Sequence, residues 1–191
     1  MAVDSPQPGQ LITHYRILVV LAFLPLLHAQ QPDPQIARLE KLIQTDPTNA
    51  GAHAMLGQIH LDARRPEKAL RHLEIAVKLK PADPATVFLL GVAQLETGRD
   101  AQAFDTFSKL AARAPADVAT KAYLVRAALR VKKADVARAN LSALRRLAPN
   151  EGLLHAQVAE WCAAEEGAEA SLEQIRFTLG LPLPALNQAR V

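Results

Sequence analysis

Four prolines recur at one fixed interval: Pro47, Pro81, Pro115 and Pro149 stand 34 residues apart each time. A chain built on so short a period is a series of like supersecondary units, each too small to bury its own apolar face. Such a unit is stable only when stacked on its neighbours. Aligning the chain on the prolines brings further columns into register. Leu56, Leu90 and Leu124 share one column, and Gly57, Gly91 and Val125 the next. Ala69, Ala103 and Ala137 share another, followed four residues later by Leu73, Phe107 and Leu141. Proline lacks an N–H and disfavours helix in the residue before it, so each recurring proline ends a helix. Small residues in facing columns let two helices approach closely, and the large apolar residues fill the space between them.

This pattern resembles the tetratricopeptide repeat, which has Leu-Gly in a first helix, Ala and then a large apolar residue in a second, and a closing Pro. The resemblance implies an all-α fold, a right-handed superhelical solenoid of antiparallel helix pairs. Three full repeats span 50–83, 84–117 and 118–151. Asp83-Pro84 is a helix-start signal, and Gly98 suits the turn within the second repeat. The family's aromatic slots in the first helix hold His53 and His60, then Val87 and Gln94, then Lys121 and Ala128, which predicts a lighter core. The third repeat has Val125 in place of Gly and no Gly in its internal turn, only Lys132-Lys133-Ala134.

The repeats have flanks. Residues 30–49 read as a linker and a second helix whose first half is missing. Residues 152–181 read as a degenerate fourth repeat, with Leu154, Val158, Trp161 and Cys162 at helical spacing, then Leu172, Ile175, Phe177 and Leu179. Its acidic side chains (Glu160, Glu165, Glu166, Glu169) suit a terminal cap, and 182–191 form a tail. Residues 17–27 are an unbroken apolar run, too short to span a bilayer, which takes about 20 residues. With Arg16 before it and Ala29 after, the segment 1–29 reads as a signal peptide or signal anchor. The expected location is therefore periplasmic or secreted, with a membrane tether if Leu27 makes a poor cleavage site.

Residues that carry chemistry are few. His53 and His60 lie two turns apart along one helix, about 10 Å, too far for one metal ion without help from another helix. Both read as fillers of aromatic slots, and His72 as half-exposed. The single cysteine, Cys162, excludes an internal disulfide framework and a cysteine zinc cluster. Its neighbours Trp161, Ala163 and Ala164 do not activate a thiolate, so it reads as buried and inert. There is no phosphate-binding glycine loop. An enzyme is not expected, nor any cofactor. The block 118–151 holds eight of the cations and has a net charge of +6, against +3 for the whole chain. Tyr123 is its only aromatic residue, so a solvated face is favoured over nucleic-acid binding.

The resemblance further implies a concave face, lined by the first helices, that receives an extended or helical peptide. The corresponding positions are Ala54, Gln58, Leu61 and Asp62 in the first repeat, then Phe88, Val92, Leu95 and Glu96 in the second. In the third they are Ala122, Arg126, Leu129 and Arg130. Leu61, Leu95 and Leu129 serve either the groove or the packing between repeats. Phe88 with Val92 forms an apolar shelf and Arg126 with Arg130 a cationic one, which would suit a partner with apolar anchors followed by acidic groups. The family's Lys and Asn clamp for chaperone tails is not implied, because Ala54 and Gln58 stand where it would start. The expected function is an exported, non-catalytic adaptor or assembly factor. The alternative is a non-catalytic subunit held by a retained amino-terminal helix in an envelope secretion or cytochrome-maturation complex.

Overall fold

The described part of the computed structural model, residues 33–166, is a run of eight α-helices joined by short turns. They are α1 (Pro34–Thr45), α2 (Ala50–Asp62), α3 (Pro66–Leu79), α4 (Pro84–Glu96), α5 (Asp100–Arg113), α6 (Val118–Arg130), α7 (Ala134–Leu147) and α8 (Gly152–Glu166). Residues 17–27, Ala29, the acidic Glu169, the cap residues Leu172, Ile175, Phe177 and Leu179, and the tail 182–191 lie outside the described residues. Among the described residues no helix is long and apolar enough to cross a membrane.

Each recurring proline acts on the residue before it. Asp46, Lys80, Ala114 and Ala148 cap the ends of α1, α3, α5 and α7, with ψ between 58° and 87° in place of a helical value. Two residues past each proline a polar residue starts the next helix. The Asn49 side chain accepts a hydrogen bond from the Ala52 N–H, and the Asp117 carboxylate one from the Thr120 N–H. Asp83 instead accepts from the Thr86 hydroxyl, and that bond holds its carboxyl below the usual range.

Inside each full repeat the turn has a second rule. Arg64, Gly98 and Lys132 all have positive φ, at 55°, 73° and 60°, and they too are 34 residues apart. Their amides, and those of Arg65, Arg99 and Lys133, return to carbonyls in the last turn of α2, α4 and α6. The third repeat therefore makes the same turn as the second without its glycine.

The helices pack pairwise, α2 on α3, α4 on α5 and α6 on α7. Each second helix also packs on the next first helix, α3 on α4 and α5 on α6. The result is an all-α solenoid. Gly57 faces Leu73 and Gly91 faces Phe107 so closely that no side chain fits on either glycine. Val125 and Leu141 share one buried cluster in the third repeat, where both are almost fully covered. First helices touch one another, α2 with α4 and α4 with α6. The last helix breaks the alternation by packing on α6. Val158 and Cys162 enter the cluster of Val125, Leu129 and Leu141, so the thiol is buried among apolar groups.

Candidate functional site

The site is a trough across the first helices. With α2, α4 and α6 side by side and α8 on α6, side chains of these four helices and of the start of α3 border one open space of about 610 Å³. That lies within the range of about 300–1,000 Å³ typical of ligand sites. Helix α2 gives Gln58, Leu61 and Asp62, the turn after it gives Arg64, and the start of α3 gives Pro66. Helix α4 gives Phe88, Leu89, Val92 and Glu96, α6 gives Tyr123 and Arg126, and α8 gives Gln157 and Trp161.

The floor is aromatic. Phe88 meets Phe107 and Tyr123 edge-on, with ring centres 5.6 and 5.1 Å apart. Tyr123 stacks on the buried Phe107 at 5.5 Å and reaches Trp161 at 5.1 Å. Phe88, Tyr123 and Trp161 are each only half-buried, so each offers part of its ring to the trough. Burial, with Glu96 adding to it, raises the Tyr123 phenol above its ordinary pKa, while Arg126 pulls the other way.

Arg126 is committed within this framework. Its Nη1 lies 2.8 Å from Glu96 Oε1 across the repeat boundary, and its guanidinium lies 5.1 Å from the centre of the Trp161 ring. Arg130 is placed differently. Its Nε is 2.8 Å from Asp100 Oδ1 at the start of α5, and it does not line the trough. The two cations expected to form one shelf are thus each paired with a carboxylate of the preceding repeat.

Seven of the twelve groove positions expected from the sequence come together here: Gln58, Leu61, Asp62, Phe88, Val92, Glu96 and Arg126. Leu95, Ala122 and Leu129 are instead buried in the packing between helices, each at most 2% exposed. Ala54 is half-buried outside the lining. Sequence reasoning missed Arg64, Pro66, Leu89, Tyr123, Gln157 and Trp161. Tyr123 stands one residue outside the expected stripe. Trp161 was legible only as part of the cap, since its place in the trough follows from α8 packing on α6.

The histidines converge away from the trough. His53 and His60 on α2 are buried, and His72 on α3 lies between them, its ring centre 5.4 Å from that of His53 and 5.7 Å from that of His60. Among the described residues no group of His, Cys, Asp or Glu is arranged to hold a metal ion.

The comparisons agree with this fold. The family profile of the tetratricopeptide repeat matches residues 26–84 and again 54–118. These are tetratricopeptide repeats. Among solved structures, the repeats resemble residues 41 to the end of MamA from Desulfovibrio magneticus RS-1. The TM-score is 0.65 at 14% identity, over 91% of this chain and 95% of that one. YrrB, described as a TPR protein with an unusual peptide-binding site, aligns with a TM-score of 0.63 at 15% identity, over 82% of each chain. TTC0263, a thermophilic TPR protein of Thermus thermophilus, aligns at 25% identity and a TM-score of 0.55, over 70% of this chain and 76% of that one. No curated protein matches. The tetratricopeptide fold supports a non-catalytic role in protein–protein interaction.

Proposed function

We propose that this chain is an adaptor or assembly factor that receives a peptide segment of another protein in the trough. The observation that carries the reading is the half-open aromatic floor of Phe88, Tyr123 and Trp161. Aromatic faces supply large contact area at low entropic cost, and such rings at the centre of a patch dominate binding energy. The rim balances Asp62 and Glu96 against Arg64 and Arg126. An acidic partner group would compete with Glu96 for Arg126, so apolar anchors carry the affinity and acidic groups tune it. YrrB's described peptide-binding site is consistent with this use of the fold.

A panel of peptides carrying apolar anchors, displayed against the chain and against its Phe88→Ala and Trp161→Ala variants, tests the reading. Enrichment by the native chain and its loss in both variants is the expected result. Enrichment that survives both changes overturns it.

Export belongs to the same proposal and rests on residues 17–27 followed by Ala29. Intact mass after expression in a host with a secretion pathway separates two forms. A mature chain beginning near Gln30 favours a soluble adaptor. A full-length chain in the membrane fraction favours the tethered subunit of an envelope complex, the reading that the unusual Leu27 supports.

A further inference from the structure

The three histidines of the first repeat form a cluster in which His53 is hydrogen-bonded to His72 and His60 stacks on His72. His53 Nε2 lies 3.3 Å from the Pro47 carbonyl, which only accepts, so Nε2 carries the proton. A neutral His53 then has a bare Nδ1, and His72 Nδ1, 3.2 Å away, must donate to it. On the other side of His72 lies the near-parallel ring of His60, whose Nδ1 is buried without a hydrogen-bond partner. All three rings are accommodated as neutral groups. A proton added at His53 Nδ1 would set two N–H donors against each other, and one added at His60 Nδ1 would leave a buried cation with no acceptor.

The surrounding charges do little to relieve this. Glu40 on α1 favours charge on His60 and His72, whereas Lys68 on α3 and Arg65 before it oppose charge on His60. Helix α4, which packs on α3 and touches α2, carries Glu96 as its one charged residue, and that side chain is bound to Arg126.

We propose that His53, His60 and His72 are an acid-sensitive latch between α2 and α3, which mild acidification releases, opening the groove wall that α2 carries. Burial is the first cause that lowers the pKa of both His60 and His72 below the ordinary value near 6.5; Lys68 and Arg65 add to it at His60, and any charge that His53 or His60 acquires adds to it at His72. The sign follows. Well above pH 6.5 His60 and His72 are neutral whether the pair is closed or open, and the latch is at full strength. As pH falls below 6.5 the open form takes up protons that the closed form does not, until the lowered values of the closed form are reached. Each histidine that charges only on opening raises the opening constant by up to about tenfold per pH unit in that window. Because Gln58, Leu61 and Asp62 are wall residues on α2, the groove would open in the same step.

The test uses the full chain without any partner, so its failure is separate from failure of the proposed peptide binding. Ring-proton NMR titration should find His60 and His72 charging below pH 6.5. Hydrogen exchange between pH 7 and 5, corrected for the intrinsic pH dependence of exchange, should show α2–α3 opening steeply with acid and α6–α7 less so. In His60→Phe and in His72→Phe the α2–α3 slope should fall by about tenfold per pH unit. Titration of both histidines at or above 6.5 overturns the proposal, and that measurement needs no variant to fold. An acid dependence of α2–α3 equal to that of α6–α7, or unchanged in the variants, overturns it as well.

Discussion

Gly91 on α4 lies so close to Phe107 on α5 that a methyl group added to it would meet three ring carbons at 2.6 to 3.0 Å. The same relation holds one repeat earlier, where a methyl on Gly57 would lie 2.4 Å from Leu73 Cγ. Neither neighbour has room to retreat, because Phe107 and Leu73 are fully buried.

Gly91→Ala and Gly57→Ala should therefore each lower stability by about 1–3 kcal/mol, the usual cost of overpacking. Gly152→Ala is the control, since nothing lies within 4 Å of the added methyl. Denaturant melts of the three variants check the ranking, and equal losses in all three would contradict it.

Ala103, on α5 one turn before Phe107, has no exposed surface. Ala103→Leu adds three carbons at that crossing and should also lose about 1–3 kcal/mol. Thermal melts that match the native chain would count against the helix contacts described above.

The turns offer changes of the opposite sign. Arg64 and Lys132 hold the left-handed conformation that Gly98 adopts without a steric penalty. Lys132→Gly should gain up to about 1 kcal/mol, offset in part by the greater freedom of glycine in the unfolded chain. Gly98→Ala should lose about 1 kcal/mol. Calorimetry of the pair tests the common turn geometry.

Arg126 joins three elements, through Glu96 on α4 and Trp161 on α8. Arg126→Glu places two carboxylates together and uncovers the indole, so it should destabilise the stack as well as disturb the groove. Arg126→Ala should cost about 1–2 kcal/mol, the sum of a half-buried ion pair and a cation–π contact. Arg126→Lys should lose less stability, because the charge remains. A double-mutant cycle with Glu96→Gln isolates the pair, and zero coupling would show that the contact contributes nothing.

The period was legible because it is enforced locally. Proline at the 34-residue interval ends a helix at the residue before it, and Asn49, Asp83 and Asp117 each start one through bonds to residues three positions on. The all-α class, the helix pairs and the glycine columns follow from those local rules. The floor of the trough did not. Tyr123 and Trp161 meet because α8 packs on α6, and no local signal carries that choice. Arg126 and Arg130 have helical spacing, but which carboxylates they meet depends on how one repeat is rotated against the next. His72 is 19 residues from His53, a separation no helix period connects, and only the packing of α3 on α2 brings their Nδ1 atoms to 3.2 Å. Sequence determined the repeating unit, since its turns and caps act within a few residues. The tertiary structure decided which side chains share a surface, since that depends on the packing of helices distant in the chain.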